Sequence, residues 1–386
     1  MKLCWRLAVA GLAVVWLSGF ASVVRTAAQG QASVTQGKKA GEFFKNVTTS
    51  SLKELSVDDF IGAMGVIADD LGLDCADCHP DAGTDQVDWV VDTARKRTAR
   101  RMVEMVATIN RTNFAGIQRV TCWTCHHGRD IPASTIALDN LYDTPNSEKD
   151  DIVKADPTEP SAAQILDKYI AALGGAQRLA GLTSFVATGA SVGYMGLGGN
   201  GGFTIYAKSP NQKTTLITFK DHPDRGESTW AFSGPTGWIK TPRGLLGEYE
   251  LTGGELDGAR LEAQLSFPGQ IKQALTNWRV GAKQPIGDRD YQVVQGTGPR
   301  NFLATLYFDP QTGLLARLIR YSPSPVGRMP TQIDYSDYRD VGGIKFPFEY
   351  KFLWLDGRYT AKISDVKTNV AIDAALFGKP SARQAK

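Results

Sequence analysis

Two runs in this chain, Cys75-Ala-Asp-Cys78-His79 and Cys122-Trp-Thr-Cys125-His126, share one chemical pattern. Two thiols three residues apart, followed at once by an imidazole, suit covalent capture of a porphyrin. The thiols add across the two vinyl groups of a haem, and the adjoining histidine reaches the iron from one face. The pattern implies two covalently bound c-type haems. Other uses of such cysteines fit less well. A four-cysteine zinc site would use the same pairs, but the gap from Cys78 to Cys122 is more than twice the usual ~15–20 residues. A redox dithiol would use one pair near a βαβ pattern, and neither pair has one.

The remaining cysteine, Cys4, lies in a stretch with the marks of a secretory leader over residues 1–28. Lys2 and Arg6 form a positive start, Leu7 to Phe20 an apolar run, and Thr26-Ala27-Ala28 a small-residue cleavage site before Gln29. An uncleaved anchor is the competing reading of the same run. Export to the periplasm or another extracytoplasmic space agrees with haem attachment outside the cytoplasmic membrane, and membrane association stays open. Loss of the leader leaves only the four haem cysteines. The formal charge of +3 is accounted for by Lys2, Arg6 and Arg25, all before residue 29, where no acid occurs. A balanced mature chain gives no global reason to expect nucleic acid as a partner.

The elements that must carry the two runs are legible as helices. Ser56-Val57-Asp58-Asp59 reads as a helix start, with Phe60, Ile61, Met64, Ile67, Ala68 and Leu71 at helical spacing and Gly72 as the stop. Met64 then sits about 10 Å up the helix from Leu71. A reversal at Gly72 carries Cys75 to His79 around to the other side of a haem. A second helix is expected from about Val87 to Asn110, with Val91, Ala94, Met102, Met105, Val106 and Ile109 as its apolar stripe, ahead of Cys122. Histidines other than His79 and His126 are scarce, namely His127 and His222, so Met64 and one of Met102 or Met105 are the economical sixth ligands. A thioether opposite a histidine raises the reduction potential.

From about Phe43 to Gly128 these residues resemble the cytochrome c subunit of photosynthetic reaction centres. The matching stretches are Leu55 to Met64, Ala99-Arg100-Arg101-Met102, Ile109-Asn110 and Val120 to His126. The resemblance implies that Met64 and Met102 are the distal iron ligands and leaves Met105 as core. It also implies redox-protein partners, such as a membrane-bound reaction centre or respiratory complex. The family carries four haem runs where this chain has two, and no histidine lies between Met102 and Cys122 for a further haem.

Beyond the cytochrome unit, placed at 41–131, residues 132–160 are acidic and interrupted by prolines. They read as a mobile or loosely draped linker. The region 161–380 opens with a helix capped by Ser161 and is then strand-rich, with runs at 183–194, 203–208, 213–219, 228–232, 291–295, 302–308, 314–321, 332–338, 345–355 and 359–366. One or two helices are expected over 255–278, and the glycine-dense stretch 193–202 reads as a hairpin loop. This order resembles the half-barrel of LolA-like periplasmic lipoprotein carriers, on the strength of Asp334 to Pro347 and Lys362 to Asn369, which implies a lipid or protein on its concave face.

The fold expected is therefore multidomain: a mainly α dihaem cytochrome c followed by an α+β antiparallel half-barrel. The function expected is single-electron transfer by a carrier that is not an enzyme. The alternatives are a dihaem peroxidase-like enzyme with one open haem, and a haem-sensing lipid- or lipoprotein-binding protein.

Overall fold

The computed structural model describes residues 35–84, 86–135, 152–193, 200–219, 226–241, 246–355 and 357–380. The leader, most of the glycine-dense loop and His222 lie outside them. Thirteen strands form one antiparallel sheet in the order β6-β5-β4-β3-β2-β1-β13-β12-β11-β10-β9-β8-β7. The first meander is β1 Ser184–Val192, β2 Asn200–Lys208, β3 Gln212–Phe219, β4 Glu227–Phe232, β5 Gly237–Lys240 and β6 Glu248–Leu251. The second is β7 Thr276–Ile286, β8 Arg289–Thr297, β9 Leu303–Phe308, β10 Leu315–Pro323, β11 Arg328–Val341, β12 Ile344–Trp354 and β13 Gly357–Thr368. They join where β1 pairs with β13. The edges at β6 and β7 are not paired with each other, so the sheet is a half-barrel rather than a closed one.

The helices fall in chain order as α1 Ala40–Phe43, α2 Val57–Leu71, α3 Cys75–Cys78, α4 Ala94–Asn113, α5 Cys122–His126, α6 Ala162–Ala172, α7 Ala176–Ala180, α8 Gly253–Leu265 and α9 Ile271–Ala274. α2 forms as its sequence dictates. The Ser56 hydroxyl accepts from Asp59 N–H at its start, and Gly72 takes the left-handed φ of 64° that ends it. α4 starts later than its apolar pattern suggests, at Thr93, whose side chain accepts from Lys96 N–H. Residues 87–93 are irregular, and Trp89, Val90 and Val91 among them are exposed rather than laid on a core.

α6 packs Leu166, Tyr169 and Leu173 onto the sheet in one large core with Leu261 of α8 and with Leu306, Phe308 and Leu318. Three strands escape the sequence pattern. β5 and β6 have four residues each, too short to show alternation. β7 is an edge strand carrying Gly281 and Pro285, and its Thr276 start cuts the expected helical segment short at Ala274. The end of the acidic stretch lies on the sheet. Val153 is buried with Val293 and Tyr307, and Asp156 N–H donates to Val280 O at 2.8 Å.

Residues from Ser33 onward form one compact unit, and a polar junction joins α2 to α8. Asp58 Oδ2 accepts from Thr252 N–H at 2.7 Å, and the Ser56 and Thr252 hydroxyls are 2.6 Å apart. Thr252 supplies no side-chain cap of its own, so carboxylates from α2 satisfy the N–H groups that open α8. Beside it, Arg320 is buried and paired with Glu255 and Glu262. Burial opposes its charge, but the two carboxylates outweigh that and raise its pKa.

Burial pushes the Asp58 carboxyl well above its usual value, against the pull of the Thr252 N–H, with Glu255 and Asp59 raising it further. The folded chain therefore holds this proton more tightly than the unfolded one, where an aspartate ionises near pH ~3.9. The stability it contributes is complete below about that pH and is lost as pH rises through the folded value. Asp58→Asn keeps an acceptor for Thr252 N–H but cannot ionise. Its urea midpoint should fall less between pH 5 and pH 8 than that of the parent chain, and equal slopes would remove Asp58 as the cause.

Candidate functional site

Each Cys-x-x-Cys-His run is a single helical turn, and residues three apart on a helix share a face. Both cysteines of the first pair line a cavity, whereas of the second pair Cys122 does and Cys125 is exposed. Asp74 opens α3, its Oδ1 accepting from Ala76 N–H at 2.8 Å and from Asp77 N–H at 3.2 Å. At α5 the opening is made by Thr121 and Thr124, with Thr121 N–H donating to Thr124 Oγ1 at 3.0 Å. The turns follow their carrier helices as the reversal at Gly72 requires.

Both turns open onto one cavity of about 2470 Å³, whose lining includes Met64, Cys75, Cys78, His79, Met102, Cys122 and His126. The cavity continues onto the sheet, where Thr215, Trp230, Phe352 and Tyr359 also line it, so its volume is shared between the helical unit and the half-barrel. Cys125 lies exposed outside that lining. Met105 also stands outside it and is 43% exposed, which corrects its expected place in the core. The buried face of α4 is Val103, Val106 and Asn110, one step around from the expected stripe.

The histidines are set for metal ligation. His126 Nδ1 lies 2.8 Å from the carbonyl oxygen of Arg129. A carbonyl only accepts, so Nδ1 carries the proton and Nε2 keeps its lone pair, the usual outer-shell device for a ligating imidazole. His79 packs against Trp89 with ring centroids 5.0 Å apart, and its buried Nδ1 has no hydrogen-bond partner. Burial, assisted by the charge of Lys96, pulls its pKa down to about 4, so the ring is neutral at ordinary pH. Among the described residues, no three His, Cys, Asp or Glu side chains converge on a point as a zinc site requires. The donor set suits covalent c-type haem: each run offers thiols with an adjoining imidazole, and Met64 and Met102 line the same cavity.

Several residues that build the site carried no sequence signal. Asp70 ties the two halves together: its Oδ2 accepts from Trp123 N–H at 2.9 Å and its carbonyl from Gly128 N–H at 2.9 Å. Burial raises its carboxyl to about 6, although the Trp123 N–H works against this. Burial likewise pushes the Cys122 thiol up to about 11. Arg95, Lys96 and Arg100 line the cavity as well.

The site and the sheet define a helical cytochrome c unit built onto an open antiparallel half-barrel. Residues 20–169 match the family model described as "Photosynthetic reaction centre cytochrome C subunit". The photosynthetic reaction center cytochrome c subunit of Rubrivivax gelatinosus is 32% identical over 100 residues. That stretch is 25% of this chain and 25% of the relative, so the chain spans about a quarter of the curated relative it matches. The similarity implies covalent c-type haem in this segment. Solved structures similar to the β-rich part include a LolA superfamily protein from Nitrosomonas europaea, 16% identical, covering 57% of this chain and 99% of that one at a TM-score of 0.38. A DUF1329 family protein from Desulfovibrio piger is 10% identical, covering 57% and 98% at a TM-score of 0.39. Among the described residues no helix is long and apolar enough to cross a membrane.

Gly72 offers a direct test of the turn that brings the two runs together. Its φ is 64°, and a Cβ there would collide with the backbone oxygen of Gly128. Gly72→Ala should destabilise the chain by more than about 1 kcal/mol in urea unfolding. A variant as stable as the parent would show that this close approach does not hold the site.

Proposed function

We propose that this chain is an exported dihaem c-type cytochrome that carries single electrons, and that it is not an enzyme. The observation that supports the reading is the shared lining: Cys75, Cys78 and His79 of the first run, Cys122 and His126 of the second, and Met64 and Met102 on one cavity. In it Cys75 and Cys78 hold the first haem with His79 and Met64 as iron ligands, and Cys122 and Cys125 hold the second with His126 and Met102. When bound, such a group supplies one-electron Fe(III)/Fe(II) chemistry at a potential raised by the thioether ligand.

The chain's own residues do the positioning. Arg129 O fixes the His126 tautomer, and Trp89 packs against the His79 ring. Arg95, Lys96 and Arg100 offer positive charge to acidic groups on the cofactors, and Phe60, Ile67, Ala68 and Leu71 give the cavity an apolar wall. The partners are redox proteins, a membrane-bound reaction centre or respiratory complex among them, in an extracytoplasmic compartment. The family match and the leader-like residues 1–28 support that placement.

The test is the visible spectrum of the purified protein with haem counted per chain. The expected result is two low-spin haems, with the weak iron–thioether band reduced by about half in either Met64→Ala or Met102→Ala and absent in the double variant. A native high-spin haem would overturn the carrier reading and favour a peroxidase-like enzyme with an open iron face.

A further inference from the structure

The β10–β11 hairpin reaches out of the sheet and into the helical unit. Its turn is locked internally: Ser324 N–H and Oγ both donate to Gly327 O, at 2.9 and 2.7 Å. Val326 at its tip is 1% exposed and belongs to the same buried cluster as Phe60, Val66, Val103 and Cys122. The carbonyl of Val326 accepts from Cys122 N–H at 3.3 Å, and Ser324 O accepts from Gln118 Nε2 at 3.0 Å. Gly327 leaves no spare room, since a Cβ there would lie 2.9 Å from Val66 Cγ1 and 3.9 Å from Thr121 Cβ. Below the tip, Met329 packs on Gly62 of α2, where a Cβ would lie 3.1 Å from its Cε. On the sheet side β10 is anchored by Ser322 Oγ donating to Glu255 at 2.7 Å and by the Arg320 pairs.

The two attachment runs are thus held differently. Cys122 is buried against the hairpin, and Asp70, the acceptor for Trp123 N–H, lies 3.6 Å from the Cβ position of Gly327. The first run takes its support from the helical part: Thr93 Oγ1 donates to Cys78 O at 3.3 Å and Arg95 pairs with Asp77 at 3.4 Å. Its cysteines are exposed or half-buried.

We infer that the hairpin tip, Ser324–Gly327, is a positioning element for the second attachment run, so that the sheet sets the environment of that haem through the Cys122 turn. Val326 and Gly327 act through the Cys122 turn and touch no reacting atom. The inference rests on the dihaem reading. Because packed cores respond to a single methylene, truncating Val326 or adding a methyl at Gly327 moves the turn that presents Cys122 and His126.

The experiment uses the full chain matured with haem, in three forms: parent, Val326→Ala and Gly327→Ala. Haem is counted by mass on each Cys-x-x-Cys-His peptide, and potentials come from spectroelectrochemical titration. A Cys75→Ala/Cys78→Ala variant, retaining only the second run, identifies that haem's wave. The expected result is two haems in every single variant, with the second haem's wave displaced and the first unmoved. Both waves unmoved, both displaced equally, or only the first displaced would overturn the assignment. Should Gly327→Ala not fold, Val326→Ala decides alone. Failure of the dihaem reading itself would appear separately, as fewer than two haems on the parent chain.

Discussion

The helix α2 is asked to satisfy two surfaces at once, and the rest of the structure follows from how it does so. On one side Ala63, Val66 and Asp70 turn inward against the hairpin and the second haem turn. On another, Phe60, Met64, Ile67 and Ala68 front the cavity. Between them Gly62 and Gly65 present no side chain, which lets Met329 and Leu355 of the sheet approach closely. A helix with a single apolar stripe would have served a bundle. This one needs small residues and carboxylates as well, because it packs against a sheet and a cofactor site together.

The carboxyls at its start illustrate a burial cost that is only partly offset, since both hold a proton more tightly than a free aspartate. Asp58 is buried and Asp59 largely so, a placement that is unfavourable for a charged group in isolation. Here the N-terminus of α8 faces them, with unsatisfied N–H groups and the positive end of its dipole. Each side supplies what the other lacks. The neighbouring Arg320, Glu255 and Glu262 are likewise satisfied only as a set, since an unpaired charge at that depth would cost several kcal/mol.

Much of this was legible in the residues. The Ser56 cap, the Gly72 stop, the Ser161 cap and the two Cys-x-x-Cys-His turns are local signals, decided within a few residues of themselves, and they formed where the sequence places them. Ten strands were visible as alternation. What was hidden depends on distant partners. Met105 reads as core by spacing, but the residue of α4 that joins the hairpin's cluster is Val103, and nothing near Met105 in the chain says so. Residues 87–93 read as helix because their apolar residues are dense, but Trp89 is drawn to His79 and Val87, Trp89 and Val90 line the cavity, partners that lie outside the local sequence. The hairpin tip itself, Ser324-Pro325-Val326-Gly327, looks like an ordinary surface turn. Its burial is decided by α2 and α5, more than 190 residues earlier in the chain.

The basic residues of α4 are best understood from the segment they hold. Lys96 Nζ donates to the carbonyls of Trp89 and Val91 at 3.0 and 2.9 Å, Arg97 donates to Asp92 O at 2.6 Å, and Arg100 pairs with the Asp92 carboxylate. Exposed ion pairs of this kind contribute little stability singly, about 0–1 kcal/mol. Their value here is directional, because residues 87–93 have no regular backbone partners of their own and would otherwise leave carbonyls to water. Held by α4, this stretch keeps Trp89 against His79 and so closes the cavity beside the first histidine. Had these cations served mainly to meet an acidic protein, their donors would point outward. Instead much of their hydrogen bonding goes to the chain's own carbonyls and carboxylates, and they fix the wall of the cavity beside His79.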